Sequence, residues 1–189
     1  MLFQVEALRQ VDAFLKGLGI PYVVIGGIAN AVRGEPRATH DADLKVLVQG
    51  MSIAEFRSLA EARFKPYRRP WLGRAESVLI ISLEVAPDMI VDMLVTVLPY
   101  EEQAIGRAEM IEVEGLSLPI CTAEDLIVHK AIADRPKDWL DIEKILLRQG
   151  GRLDVEYVRA WLIQFADALE KPKLVREFNR LWGEASARR

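Results

Sequence analysis

The apolar pattern of this chain changes character once, at Thr122, and that change constrains its fold more than any other feature. Before Thr122, short β-rich runs alternate with helical segments. The strand candidates are Tyr22 to Ile25, Asp41 to Val48, residues 76–85 and 88–97, and one or two strands within 109–120 broken at Gly115. After Thr122 no strand pattern recurs, and apolar residues return at helical spacing to the end. The expected architecture is α+β: a mixed β-sheet core flanked by helices over residues 1–120, then a C-terminal helical region over 121–189.

Local signals place the elements. Val5, Leu8, Val11, Leu15 and Leu18 repeat as one helix face, and Gly17 and Gly19 stop it. The run ending at Ile25 meets Gly26-Gly27, and Ile28 to Val32 suits a short helix. Ser52 with Glu55 three residues on reads as a capping box for a helix reaching about Arg63. Pro87-Asp88 reads as a turn between antiparallel strands. Residues 100–107 suit a short helix. Thr122-Ala123-Glu124-Asp125 is a second capping signal, and the helices expected after it span about 122–134, 136–149, 154–168 and 171–183. Pro136 and Pro172 fall in first turns, and Gly150-Gly151 is a stop. The tail from Ala185 is expected to fray.

Composition narrows the functional classes. At 189 residues the chain is long enough to bury a core without a disulfide or metal staple. Its formal net charge is −3, with 25 Lys and Arg against 28 Asp and Glu, and this lacks the basic excess of a protein that coats nucleic acid. The lone Cys121 reads as a buried structural thiol in a reducing compartment. The N-terminus lacks a signal-peptide pattern, and the most apolar stretch, Val78 to Leu83, is far short of a membrane span. A soluble, cytoplasmic protein is expected.

The chemistry concentrates between Ile25 and Lys45. Arg37, Thr39, Asp41 and Asp43 are spaced by two, so on an extended segment all four share one face. Two carboxylates roughly 7 Å apart repel unless a cation compensates, and paired hard oxygens suit Mg²⁺. An ordinary solvent-facing strand is the alternative. The Gly26-Gly27 turn, between an apolar strand and a helix, permits close approach of backbone N–H groups to an anion, or is simply a tight turn. Asp92 interrupts the apolar run Ile90-Val91-Asp92-Met93-Leu94-Val95; it needs a partner if buried, and none if it faces water.

Val24-Ile25-Gly26-Gly27-Ile28-Ala29, followed by Arg37-x-Thr39-x-Asp41-x-Asp43-Leu44, resembles the signature of the nucleotidyltransferase superfamily that includes DNA polymerase β. In that superfamily a glycine turn precedes Asp-x-Asp on the next strand, and a third carboxylate lies on a later strand. Asp92 in Val91-Asp92-Met93-Leu94 matches the third carboxylate better than Glu84, which lies just before the Pro87 turn. Further along, Thr122 to Ile127 and Lys130 to Ile142, with Lys130, Arg135, Lys137, Asp138 and Asp141, is similar to a motif of the AbiEii-type branch. That branch contains bacterial toxin nucleotidyltransferases.

The resemblance implies a Mg²⁺-dependent transfer of a nucleoside monophosphate from an NTP to a hydroxyl on RNA such as tRNA, on a protein, or on a small molecule. Asp41, Asp43 and Asp92 would be catalytic and would hold two Mg²⁺ ions, with Mn²⁺ as a possible substitute. Gly26, Gly27, Arg37, Thr39 and Lys130 would bind the nucleotide. An antitoxin-like protein partner and a non-transferring nucleotide-binding module belong to the same set of expectations. His40 reads as structural or surface and His129 as structural, Trp139, Trp161 and Trp182 as core, and Lys130 equally as an exposed helical lysine.

Overall fold

The computed structural model describes residues 2–36, 41–70, 79–87 and 89–188. In chain order the elements are α1 (Leu2–Gly17), β1 (Tyr22–Ile25), α2 (Gly26–Arg33), β2 (Asp41–Val46), α3 (Ile53–Arg63), β3 (Lys65–Pro66), β4 (Ile80–Ala86), β5 (Met89–Val95), α4 (Pro99–Gly106), β6 (Glu109–Val113), β7 (Leu116–Ile120), α5 (Ala123–Ala133), α6 (Pro136–Gln149), a 3₁₀ turn (Gly150–Arg152), α7 (Val155–Ala168) and α8 (Lys173–Ala187). They fall into two compact units: Met1–Ile28 with Ala38–Cys121, and Ala29–Arg37 with Thr122–Arg189.

The first unit holds one seven-stranded sheet in the order β3-β4-β5-β2-β1-β7-β6. The sheet is mixed: β2 runs parallel to β5 and β1 parallel to β7, while the other neighbours are antiparallel. β2 shows why the chain settles this way. Ala42, Leu44 and Val46 are fully buried on one face, whereas Asp41, Asp43 and Lys45 alternate with them on the other. β5 is buried nearly throughout, as a central strand with both faces covered should be. Helix α1 packs along β2, β4, β5 and β7, and Phe14 stacks at 6.2 Å on Phe56 of α3 and at 5.4 Å on Phe64. Helix α4 is fixed to the carboxylate-bearing face by the Glu101–Lys45 ion pair.

The Ser52 capping box is present with both bonds: Glu55 N–H donates to Ser52 Oγ at 3.2 Å, and Ser52 N–H donates to Glu55 Oε2 at 2.8 Å. β3 escapes pattern reading because two residues show no periodicity, and its Pro66 is tolerated at the sheet edge. β2 ends at Val46 rather than Val48, and α2 begins at Gly26 rather than Ile28.

In the second unit α5, α6, α7 and α8 pack on one another. Asp125 joins two of them, accepting from Thr122 Oγ1 at 2.7 Å and from the Tyr157 hydroxyl at 2.6 Å. Pro136 opens α6, as the sequence indicates, but Pro172 lies just outside α8, at its N-cap. The tail does not fray at Ala185. That residue is buried and continues the stripe Leu174, Phe178, Leu181, Ala185, so burial carries α8 on to Ala187. Trp139, Trp161 and Trp182 are half-buried rather than core; the Trp139 indole N–H donates to Asp134 at 3.0 Å. Among the described residues no helix is long and apolar enough to cross a membrane.

Candidate active site

Two adjacent strands, β2 and β5, carry the carboxylates, and β1 flanks them. In the parallel β2/β5 ladder Asp43 lies opposite Asp92, and in the antiparallel β1/β2 ladder it lies opposite Ile25. Neighbouring strands are about 4.8 Å apart, so the backbones of Asp43 and Asp92 are first neighbours. Asp41 is two residues before Asp43 and points to the same face. Two carboxylates 49 positions apart in sequence thus meet through one register that the sequence alone does not reveal.

The glycine turn closes against this group. Gly26 follows β1 directly and adopts φ 61°, a left-handed conformation. A Cβ built there would lie 2.0 Å from Asp43 Oδ2 and 2.8 Å from its Cγ. Gly26 is therefore needed twice, for its backbone angle and for the space its missing side chain leaves to the Asp43 carboxylate.

Asp92 is buried at 6% exposure, which disposes of the water-facing alternative for it. Its partner is a residue that the sequence did not single out. Arg69 donates from Nε to Asp92 Oδ1 at 3.2 Å and from Nη2 to Asp92 Oδ2 at 2.8 Å, and the same Nη2 lies 3.1 Å from Asp41 Oδ2. The guanidinium also sits over the Tyr67 ring, 5.3 Å from its centroid. Burial alone would lower the Arg69 pKa; the hydrogen bonds and charge of Asp92, and then those of Asp41, outweigh it and leave the group raised. Nothing in the motif spacing points to Arg69. Its only sequence signal is a basic stretch, with Arg63, Lys65, Arg68, Arg69 and Arg74 and no carboxylate among residues 63–74.

Beside Asp92 lies a second unflagged group. Ser82 on β4 is opposite Asp92 in the β4/β5 ladder, and its buried Oγ has no hydrogen-bond partner among the described residues. Glu84, the competing third carboxylate, is paired with Lys65 at 2.5 Å at the far edge of the sheet.

The donor set suits a hard divalent cation: carboxylate oxygens on adjacent strands, with a cation already drawn between two of them. Among the described residues no three His, Cys, Asp or Glu side chains converge as a metal cage. Both oxygens of Asp92 accept from Arg69 instead. Arg37, Thr39 and His40 lie outside the described residues.

In the second unit Lys130 is buried rather than exposed. Its Nζ donates to Asp141 Oδ2 at 2.6 Å and lies 3.7 Å from Asp138 Oδ1, and Asp138 is paired in turn with Arg135. Lys130, Asp138 and Asp141 thus form a buried ion-paired junction between α5 and α6, while Arg135, paired to Asp138 from outside, and Lys137 are exposed. Cys121 is fully buried, and His129 is half-buried on α5.

Comparison with known proteins bears on the fold and the family. Nothing among curated proteins matches the chain. The solution structure of the antibiotic-resistance factor ANT(2'')-Ia superposes with a TM-score of 0.58 at 18% identity, covering 89% of this chain and 94% of that one. A crystal structure of ANT(2'')-Ia in complex with adenylyl-2''-tobramycin gives 0.57 at 16% identity, covering 88% and 99%. An antigenic nucleotidyltransferase-like protein from Paracoccidioides brasiliensis gives 0.52 at 16% identity, covering 93% and 90%. At these identities the likeness is one of fold. The family assignment comes from residues 4–178, which match the family described as "Nucleotidyl transferase of unknown function (DUF2204)". The chain belongs to that nucleotidyl transferase family.

Proposed function

We propose that this enzyme transfers a nucleoside monophosphate from an NTP to a hydroxyl acceptor, using Asp41, Asp43 and Asp92 as both metal ligands and catalytic carboxylates. The observation that carries the reading is the register of Asp43 against Asp92, with Asp41 on the same face and Gly26 packed on Asp43. Two Mg²⁺ ions held there would neutralise charge on the attacking and leaving oxygens of an in-line displacement.

The chain's own residues then have separate tasks. Asp92, on β5, accepts the proton of the acceptor hydroxyl as its oxygen attacks the α-phosphorus. The bond from the α-phosphorus to the bridging oxygen breaks, and pyrophosphate leaves with that electron pair. Asp43 holds its carboxylate against the glycine turn, where a shift of about 1 Å would cost much of the rate. The backbone N–H groups of Gly26 and Gly27, at the N-terminus of α2, face the triphosphate. Arg37 and Thr39 are assigned to the nucleotide by their place in the motif. Lys130 is assigned to the β- and γ-phosphates, with Asp141 as its resting partner.

The acceptor in this reading is an RNA or protein hydroxyl, on the AbiEii-like pattern of Lys130 to Asp141, which would make the enzyme toxin-like. A small-molecule acceptor is the second reading, favoured by the fold likeness to ANT(2'')-Ia. The test is incubation with each α-labelled NTP and Mg²⁺, with cellular RNA, with protein and with aminoglycosides as separate acceptors. Label should enter one acceptor class, and Asp43→Asn should abolish it while the protein stays folded. Metal-dependent NTP binding with label in no acceptor would replace the transferase reading by that of a regulatory nucleotide-binding module.

A further inference from the structure

Arg69 is a half-buried cation at the carboxylate site, and its contacts define a competition. Both oxygens of Asp92 are committed to it, and one of its nitrogens reaches Asp41. A divalent ion shared by Asp41 and Asp92 would draw on the Asp92 oxygens that Arg69 holds. It would also stand within a few ångströms of a guanidinium whose charge is never lost. The two cations therefore compete for Asp92.

The way in lies on the Asp41 side. The Asp41 side chain is 42% exposed, whereas those of Arg69 and Asp92 are 11% and 8% exposed. Arg69 is also held ready rather than arriving by chance. Tyr67 N–H donates to Ser82 O at 2.9 Å, extending the β3/β4 pairing beyond Pro66 and placing the Tyr67 ring beneath the guanidinium. An independent observation lies on the other side of Asp92. The Ser82 hydroxyl is buried, has no partner among the described residues, and belongs to the residue directly opposite Asp92. Orphaned buried hydroxyls are rare because they forfeit a hydrogen bond. This one gains a carboxylate to donate to once Asp92 is released by Arg69.

We propose that Arg69 is a resident counter-cation that locks Asp92 and Asp41 in the metal-free enzyme, that a divalent metal displaces it, and that Ser82 then takes over one hydrogen bond to Asp92. Arg69 is thus a gate on metal loading, acting through Asp92 rather than on the substrate. The inference rests on the reading of these carboxylates as metal ligands.

The test measures metal binding and the state of Arg69 without turnover. Mn²⁺ affinity of the wild-type chain, Arg69→Gln, Arg69→Ala and Arg69→Lys is measured by electron paramagnetic resonance in the absence of nucleotide. Removing a competing charge-assisted pair should tighten Mn²⁺ binding by roughly tenfold or more in the Gln and Ala variants, with Lys in between. In the wild-type chain the Arg69 Nε–H resonance, protected from solvent exchange without metal, should lose that protection as Mg²⁺ is added. Mn²⁺ binding that is equal or weaker in the variants, or an Arg69 Nε–H that stays protected at saturating Mg²⁺, overturns the gate and leaves the metal site standing. Absence of Mn²⁺ binding in the wild-type chain and the folded variants alike overturns both.

Discussion

Replacing Gly26 by alanine tests whether the turn after β1 is built around Asp43. The new Cβ would meet three atoms of one side chain: Oδ2 at 2.0 Å, Cγ at 2.8 Å and Cβ at 2.9 Å. A rotation of the carboxylate alone cannot relieve all three, because the Asp43 Cβ is fixed by a strand paired on both sides. Restoring ordinary contact would push Oδ2 back by roughly 1.4 Å, while alanine at φ 61° adds about 1–2 kcal/mol of backbone strain. Overpacking contributes about 1–3 kcal/mol more. The expected loss of stability is thus roughly 2–5 kcal/mol, read by urea denaturation. A carboxylate displaced by more than 1 Å should lower transfer by about a hundredfold. Gly17→Ala is the control: Gly17 is exposed, and no described atom lies within 4 Å of its virtual Cβ, so that variant should equal the parent or gain up to about 1 kcal/mol. A Gly26→Ala protein within about 0.5 kcal/mol of the parent, with unchanged metal-dependent nucleotide binding, would refute the packing argument.

The remaining predictions concern single groups. Ser82→Ala removes a buried hydroxyl that lacks a described partner, so the metal-free protein should melt at the same temperature or higher; a fall by several degrees in calorimetry would contradict this. Lys130→Met should cost about 3–5 kcal/mol in urea denaturation by removing the buried ammonium that faces both Asp141 and Asp138, and adding Asp141→Leu should recover much of it. Unchanged stability in Lys130→Met would show that the junction does not depend on the pair. Burial alone would raise the Glu101 pKa, but Lys45 and the N–H groups of Val97 and Leu98 outweigh it and hold the carboxyl below its ordinary 4.5. A depressed carboxyl pKa stabilises above the unfolded value and loses that contribution as pH falls through the folded one. Glu101→Gln should therefore flatten the decline in stability below about pH 4.5, and an acid-unfolding curve identical to the parent's would count against it.

The case of Asp92 shows how far the residues could be read in advance. Its apolar neighbours already require a partner for it, because an unpaired buried carboxylate is costly. They do not say which partner. A metal shared with Asp41 and Asp43 is one answer, but the group in contact is Arg69, 23 residues upstream. A guanidinium's reach across a sheet depends on strand order, which no local spacing encodes. Lys130 makes the same point from the other side. Its motif neighbours Asp138 and Asp141 share a helix face, so an ion-paired junction was legible, but its burial follows from the packing of α5 on α6.

Local chemistry determined much about this protein. The alternation of β2, the capping box at Ser52, the glycine pair after β1 and the switch to helical periodicity at Thr122 are properties of short stretches, so the sequence alone places the elements and the Asp41–Asp43 face. Tertiary structure decided what that face meets. The parallel β2/β5 register sets Asp43 against Asp92, the β4/β5 register sets Ser82 beside it, and the chain running on from β3 brings Arg69 over the pair. Those neighbours are far apart in sequence, and only the hydrogen-bond ladders of the sheet bring them within a few ångströms.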